Sequence, residues 1–106
     1  TWREDMLRHF ASPTRWAPLV QNVADICSID SIIEDTDSAL VIDTSPISFL
    51  ETPQKIEMLF QAIRQDLPER AELSFYNHGT RIIMIASCSE FVTRAIASQR
   101  GYVKAA

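Results

Sequence analysis

The stretch TPQKIEMLFQAIRQDL, residues 52–67, decides the fold. Its apolar residues recur at steps of three and four, which is the spacing of one face of an α-helix. Thr52 is a suitable N-cap residue, and Pro53 suits the first helical position because the amide there has no partner within a helix. The sequence therefore predicts a helix over residues 52–67. Its apolar face comprises Ile56, Leu59, Phe60, Ile63 and Leu67.

This helix is not stable by itself. Burying an apolar side chain of its kind contributes roughly 1.5 to 3 kcal/mol. Ordering the segment costs about 1 to 2 kcal/mol for each of about fifteen residues. The cost exceeds the gain unless the apolar face packs against another layer. We therefore expect the apolar runs on either side of the helix to form a sheet beneath it.

Two short apolar runs before the helix, 31–34 and 39–43, are typical of strands. The residues between them favour turns, and a two-residue loop at 36–37 pairs Ile33 with Leu40. Apolar residues then lie on both faces of this ribbon. We expect the helix at 52–67 to cover one face, and the N-terminal helices or another chain to cover the other.

The clearest hairpin joins 71–76 to 80–86 through a three-residue loop, Asn77-His78-Gly79, in which Gly79 can take a positive φ. Pairing Tyr76 with Thr80 divides the side chains between two faces. The face assigned to the core comprises Ala71, Leu73, Phe75, Ile83 and Ile85. The opposite, half-apolar face comprises Glu72, Ser74, Tyr76, Ile82 and Met84.

Helices are also predicted at both ends of the chain. Apolar spacing indicates two N-terminal helices, over 2–10 and from about 18 to 26. A last helix opens with Ser87 and Glu90 at capping-box spacing, and Gly101 is well placed to stop it. Its apolar face comprises Phe91, Val92, Ala95 and Ile96.

These elements predict a small single α+β domain over residues 1–106, which we expect to be cut from a longer chain. The order is two helices, then strand, strand, helix, strand, strand and helix. We expect a mainly antiparallel sheet of four strands, with the helix at 52–67 packed on one face. A hydrophobic content of 46% in 106 residues suffices for one core.

Composition and charge exclude several functions. The net charge is −4, and no Lys or Arg occurs between Trp16 and Gln54, whereas Arg and Lys outnumber acidic residues after Thr80. This distribution argues against nucleic-acid binding and can orient a partner or a second copy. No apolar run approaches the about 18 residues of a membrane span.

Cys27 and Cys88 lack the spacing of metal ligands. We expect both to be buried thiols in a cytoplasmic protein, with a disulfide or a reactive thiol as the alternatives.

Asp43-Thr44-Ser45, at the end of the run 39–43, resembles the strand-borne Asp-Thr-Gly motif of pepsin-like and retroviral aspartic proteases. Ser45 replaces the glycine. A second aspartate in such a motif is absent, so a homodimer would have to supply it. The alternative is an acidic strand end, after which Thr44 and Ser45 begin a loop.

The strand at 40–42, the turn at 49–52 and the helix that follows are similar to the STAS domains of anti-sigma factor antagonists. The strand at 81–86 and the helix after it look like the closing elements of that family. The resemblance implies a phosphorylation-controlled regulator with Thr52 as the acceptor. Pro53 departs from the pattern, since small residues are expected there, and the two leading helices are not part of it. The alternative role of Thr52 is the helix cap.

No arrangement of a nucleophile, a base and an acid is recognisable, and no glycine-rich phosphate loop occurs. We therefore expect a non-enzymatic protein-interaction or regulatory module of a larger cytoplasmic protein, without cofactor or metal. The alternatives are the STAS-like regulator and a fragment of an enzyme whose catalytic residues lie outside this chain. The partner is another protein or a second copy, as in a homodimer. The expected partner surface comprises Tyr76, Ile82, Met84, Arg94 and Arg100.

Overall fold

The computed structural model describes residues 14–26, 29–44 and 53–105, without the side chains of 53–56 and 59. The helices in this part of the chain are α1 (Ala17–Ile26), α2 (Pro53–Ile63) and α3 (Glu90–Arg100), and a 3₁₀ turn (Arg64–Asp66) follows α2. The strands are β1 (Ile29–Asp35), β2 (Ala39–Thr44), β3 (Glu72–His78), β4 (Arg81–Ser87) and β5 (Val103–Lys104).

The strands form one antiparallel sheet in the order β1-β2-β4-β3-β5. The predicted α+β class with an antiparallel sheet is confirmed. The prediction of four strands is wrong, because the chain returns to the sheet after α3 and adds β5 beside β3. The helix predicted at 18–26 is α1, which begins one residue earlier. The helix predicted at 2–10 lies outside the described residues.

One face of the sheet is covered by α1 and α2. Trp16, just before α1, is fully buried, and its Nε1 donates a hydrogen bond to the carbonyl oxygen of Thr36 at 2.6 Å. Because a buried indole N–H requires a partner, this bond fixes the start of α1 above the turn between β1 and β2. The largest buried side chains on this face are Trp16, Leu19, Val20, Val23, Leu40, Ile42, Ile63 and Met84.

The other face is covered by α3. Ala97 of α3 packs in one cluster with Val41, Ile83, Ile85 and Tyr76. Since helices lie on both faces, the central strands carry apolar residues at consecutive positions instead of alternating ones. Both faces of the first hairpin are thus covered, as expected, but α1 lies on the same face as α2 and α3 covers the other, so the expected place of the helix at 18–26 is wrong.

The predicted register of the second hairpin is wrong. Tyr76 pairs with Ile83 and His78 pairs with Arg81, so the turn consists of Gly79 and Thr80 alone. Gly79 has a φ of 63°, as predicted, at the first central position that a type II′ turn reserves for glycine. The shift from the predicted pairing is three residues, an odd number, so it moves every β4 side chain to the other face.

The corrected register reassigns the two faces of β4. Met84 and Ile82 lie on the same side of the sheet as Leu73 and Phe75, in the core beneath α1 and α2. Ile83 lies with Tyr76 on the side of α3. Met84 is 0% exposed. The predicted half-apolar outer face that joined Tyr76 to Met84 is therefore not a feature of this fold.

The first hairpin also differs from its predicted register. Leu40 pairs with Asp35 instead of Ile33, and the register shifts twice further along β1. The hydroxyl of Thr36 accepts hydrogen bonds from the amides of Ser38 and Ala39, at 3.3 and 3.2 Å. These bonds stabilise a turn longer than two residues, which is a common use of threonine in turns.

Helix α2 confirms the predicted position of the central helix but is shorter than predicted. Ile63 is 0% exposed, and Phe60 and Leu67 pack partly buried against the same core. The chain continues as a 3₁₀ turn before Leu67, which has an extended backbone. Thr52 and the side chains of Ile56 and Leu59 lie outside the described residues, so their predicted roles stay predictions.

The N-cap residue of helix α3 differs from the predicted one. The side chain of Ser89 accepts the hydrogen bond from the amide of Val92, so Ser89 is the N-cap, whereas Ser87 ends β4. Gly101 ends the helix as predicted, with a φ of 73°. Of the predicted apolar face, Ile96 packs partly buried against the sheet, whereas Phe91 is 82% exposed. The buried side chains of α3 belong to Thr93 and Ala97.

Candidate functional site

The outer edge of β3 is only partly occupied. β5 pairs with Tyr76 and Asn77, and the amide of Ala105 donates a hydrogen bond to the carbonyl oxygen of Phe75 at 2.9 Å. Within the part of the chain that the structure describes, no strand pairs with this edge at 72–74. Among the described residues, the start of β3 therefore forms an open sheet edge, and the position opposite Leu73 is vacant there.

The backbone of Leu73 points towards this open edge. In an antiparallel ladder, the N–H and C=O groups of alternate residues face the same neighbouring strand. The two-residue turn makes His78 and Arg81 a hydrogen-bonded pair, so even-numbered residues of β3 face β4. The bond between Ala105 and Phe75 shows independently that odd-numbered residues face outward. Leu73 thus presents both its amide and its carbonyl to an additional strand.

A cleft of about 720 Å³ flanks the open edge on the side of α3. Ser74 and Tyr76 contribute to it from β3, Thr93 and Arg94 from α3, and Lys104 from β5. Hydroxyl groups and charged groups are mixed in this lining. The cleft is therefore suited to a polar side chain that can form hydrogen bonds or ion pairs.

A second pocket, of about 400 Å³, flanks the same edge on the side of α2. Phe60, Leu67, Pro68 and Leu73 contribute to its lining, together with Arg64 and Glu72. Three of the first four side chains are large and apolar. The pocket therefore offers an apolar side chain partial cover, beside the polar groups of Arg64 and Glu72.

Glu72 and Leu73 contribute to both cavities, because they form the edge that separates them. Leu73 turns its side chain into the core on the α2 side, whereas Glu72 is exposed on the α3 side. A strand placed beside them would turn successive side chains to the two sides in alternation. The two cavities thus lie where the side chains of an added strand would point.

The charges in the cleft differ in how they are paired. The guanidinium of Arg94 forms an ion pair with Glu90 at 2.7 Å, one helical turn away on the exposed face of α3. The ammonium of Lys104 lies 5.1 Å from the centre of the Tyr76 ring, a cation–π contact. In the described part of the chain, neither Lys104 nor Glu72 forms an ion pair. These two charges remain available to a ligand.

Aromatic rings line the C-terminal end of this edge. The ring centres of Tyr76 and Tyr102 lie 6.5 Å apart, and His78 meets Tyr102 edge-on at 5.1 Å. These contacts hold the segment between α3 and β5 against β3, and the amide of Tyr102 donates to the carbonyl oxygen of Ala97. The pairing of β5 with β3 therefore holds the backbone of Lys104 opposite Tyr76.

The structure separates the residues of the predicted partner surface. Tyr76 and Arg94 line the cleft, and Arg100 is exposed in the last turn of α3. Ile82 and Met84 lie on the opposite side of the sheet. Binding of a partner by these residues stays a prediction, but they do not form one continuous surface. Thr52, the acceptor in the STAS-like alternative, lies outside the described residues.

Asp43, the aspartate of the protease-like motif, belongs to an ion-pair cluster. Nη1 of Arg81 lies 3.2 Å from a carboxylate oxygen of Asp43 and 2.9 Å from one of Asp30. The hydrogen bond and charge of Asp43, followed by the charge of Asp30, raise the pKa of Arg81 above its ordinary value. Thr44 is buried, and its hydroxyl donates to the carbonyl oxygen of Ile82 at 2.7 Å. These contacts join β1, β2 and β4 at one end of the sheet.

Cys88 is a free, exposed thiol, so the prediction that it is buried is wrong. It follows β4 directly, outside the ladder, and Nη2 of Arg15 donates to its sulfur at 3.2 Å. Cys27 lies outside the described residues. In the described part of the chain, no three His, Cys, Asp or Glu side chains are grouped closely enough to hold a metal ion.

The open edge was missed from the sequence because it depends on β5. Two residues, Val103 and Lys104, are too short a run to predict a strand. The identity of the edge strand also follows from sheet order, which the sequence of hairpins alone does not determine. The only local indication was Gly79, whose positive φ marks the turn that fixes which β3 residues face outward.

Comparison of the chain with protein-family models, with curated proteins and with solved structures found no match. Among the described residues, no helix has both the length and the apolar character needed to cross a membrane.

Proposed function

We propose that this chain is a protein-interaction module that binds an extended segment of a partner as an additional strand on β3. One observation carries the proposal: the outward-facing backbone of Leu73 lies between two cavities, one on each side of the sheet. Strand addition obtains affinity from main-chain hydrogen bonds and specificity from pockets for alternate side chains. The edge of β3 provides both.

The geometry defines how the ligand would lie. A strand that follows the line of β5 runs antiparallel to β3, and its residue opposite Leu73 exchanges two main-chain hydrogen bonds with it. Directly paired residues share a face, so that residue turns its side chain to the pocket beside α2. The residue after it, opposite Glu72, turns its side chain to the cleft beside α3.

We expect weak binding to a short peptide. Two main-chain hydrogen bonds contribute about 0.5 to 1.5 kcal/mol each, and one buried apolar side chain contributes about 1.5 to 3 kcal/mol. The loss of translational and rotational freedom offsets much of this sum. The net binding free energy of a short probe is therefore less than about 4 kcal/mol, and the expected dissociation constant is about 10 mM or weaker.

The experiment is an NMR titration of the isotope-labelled protein with the end-blocked peptide Leu-Ser-Thr, whose first residue lies opposite Leu73 because Ala105 of the chain itself lies opposite Phe75. We expect the largest shift changes at the amides of Leu73 and of residues lining the two cavities. N-methylation of the peptide leucine removes the donor that would meet the Leu73 carbonyl, so it should abolish binding. N-methylation of a flanking serine, whose amide would face away, is the matched control and should leave binding nearly unchanged.

Two results would contradict the proposal. One is the absence of any shift changes along β3 up to several times the expected dissociation constant. The other is equal binding of the peptides methylated at leucine and at serine, which would show that the peptide does not pair with the edge.

A further inference from the structure

The cleft beside α3 contains two hydroxyl groups on buried residues that have no protein partner. Tyr76 of β3 is 7% exposed and Thr93 of α3 is 8% exposed, and both line the cleft. Among the described residues, neither hydroxyl forms a hydrogen bond with another group of the protein. Every fully enclosed side-chain oxygen or nitrogen in that part of the chain has a partner, so these two hydroxyls open into the cleft. They mark positions where a ligand can form hydrogen bonds.

The two ends of the cleft carry opposite charges. Glu72 lies at the start of β3, and Lys104 lies in β5 opposite Tyr76. Both line the cleft, and in the described part of the chain neither forms an ion pair. The other two charges of the lining, Glu90 and Arg94, pair with each other at 2.7 Å. A ligand therefore meets one unpaired negative charge and one unpaired positive charge.

The spacing along β3 sets the length of a ligand that reaches both charges. Nζ of Lys104 lies 5.1 Å from the centre of the Tyr76 ring, so its charge lies beside Tyr76. The strand from Glu72 to Tyr76 spans about 13 Å, and a charged contact at each end takes about 3 Å, which leaves about 7 Å between the charges of the ligand. An extended dipeptide with free ends separates its ammonium from its carboxylate by about 6 Å. Its peptide group supplies a hydrogen-bond donor and an acceptor between them.

We propose that the cleft beside α3 is a binding site for a small dipolar molecule of the size of a free dipeptide. The carboxylate of the ligand pairs with Lys104, and its ammonium pairs with Glu72. Its peptide group forms hydrogen bonds with the hydroxyls of Tyr76 and Thr93. This inference goes beyond strand addition, because it uses side chains that line the cleft and does not require the backbone of Leu73.

The test is an NMR titration of the isotope-labelled protein with diglycine at constant ionic strength. A molecule of this size binds weakly, and we expect a dissociation constant of about 10 mM. Three matched compounds each lack one feature of diglycine. N-acetyldiglycine lacks the ammonium and diglycinamide lacks the carboxylate, so each should bind about two- to fivefold more weakly. δ-Aminovalerate has the same chain length without the peptide group and should bind about two- to tenfold more weakly.

Single substitutions connect each ligand group to its residue. Lys104→Gln should weaken binding of diglycine but not of diglycinamide, which has no carboxylate. Glu72→Gln should weaken binding of diglycine but not of N-acetyldiglycine. Tyr76→Phe and Thr93→Val remove the hydroxyls with little change of shape, and each should weaken diglycine about two- to tenfold without affecting δ-aminovalerate. Arg100→Gln is the control, because Arg100 is exposed on α3 outside the lining of the cleft, and it should leave every affinity unchanged.

The outcomes distinguish this site from the binding edge. Absence of shift changes around Tyr76 and Thr93 at several times the expected dissociation constant overturns the site, as does equal binding of diglycine and its three analogues. Shift changes centred on Leu73 and insensitive to Tyr76→Phe and Thr93→Val would show that diglycine pairs with the edge, which overturns the site and leaves strand addition intact. Binding of diglycine in the cleft without binding of Leu-Ser-Thr supports the site and overturns strand addition alone.

Discussion

Hydrogen exchange in deuterium oxide provides a direct test of the open edge. Leu73 and Ser74 are adjacent in β3, yet their amides face opposite sides. The amide of Ser74 faces β4, where its partner in the ladder is Ile85, whereas the amide of Leu73 faces outward. We therefore expect Ser74 to exchange slowly and Leu73 to exchange rapidly.

The expected difference between the exchange rates of these two amides follows from the free energy of unfolding of the domain. A domain of this length is stable by roughly 5 to 15 kcal/mol, and amides in central ladders open with a free energy close to that value. At about 5 kcal/mol, the amide of Ser74 exchanges about 5,000-fold more slowly than in an unfolded chain. The amide of Leu73 should stay within about tenfold of the unfolded rate, because its exchange requires no strand separation.

The assay is a series of NMR spectra after transfer to deuterium oxide. Asn77 is the internal control, because its amide faces outward like that of Leu73 but is covered by β5 at Val103. It should exchange at an intermediate rate, since a strand of two residues separates more easily than β4. If Leu73 is protected as strongly as Ser74, another segment covers the edge and the reasoning about strand addition is wrong. Saturating peptide should slow Leu73 selectively.

Three substitutions, with a fourth as a control, test the packing and the caps. Ile63→Ala removes a fully buried side chain and should lower the free energy of unfolding by about 2 to 5 kcal/mol in urea denaturation. The control is Met58→Ala, on the same helix. Because the side chain of Met58 is 63% exposed, this substitution should change the free energy of unfolding by less than about 0.5 kcal/mol. Ser89→Ala should cost about 1 kcal/mol in the same assay through loss of the N-cap bond, and an unchanged midpoint would argue against Ser89 as the cap. Gly101→Ala should cost about 1 kcal/mol, measured by thermal unfolding, because of its positive φ; its Cβ would meet no atom within 4 Å, so a larger loss would contradict the geometry.

The sequence predicted the elements better than their pairing. The spacing of apolar residues located α2, and Gly79 located the second turn. The register of the hairpin between β3 and β4 could not be predicted from the sequence, because β4 is apolar at consecutive positions, from Ile82 to Ala86. A slip by an odd number of residues normally exposes an apolar face, and that cost identifies the correct pairing. With helices on both faces, both registers bury apolar side chains, so the pattern does not discriminate between them.

The face of α3 was mispredicted for a related reason. The predicted apolar face comprised Phe91, Val92, Ala95 and Ile96. Of these, Ile96 packs partly buried against the sheet, but the buried side chains of α3 belong to Thr93 and Ala97. Small side chains allow the helix to lie close to Tyr76 and Ile83, and the cleft opens beside them. Hydrophobicity alone favours the largest residues and therefore overlooks such close contacts.

The two edges of the sheet differ in a way that favours β3 as the binding edge. β1, at the other edge, has register shifts between Ile29 and Ser31 and between Ile32 and Glu34. Such irregularities, together with acidic side chains along the strand, prevent another strand from pairing. β3 pairs with β4 in one unbroken register from Glu72 to His78, so its outer groups keep the regular spacing that an added strand requires. Regular sheet edges are usually covered by another element. Among the described residues, β5 covers the edge of β3 only in part, and the two cavities flank the part that β5 leaves uncovered.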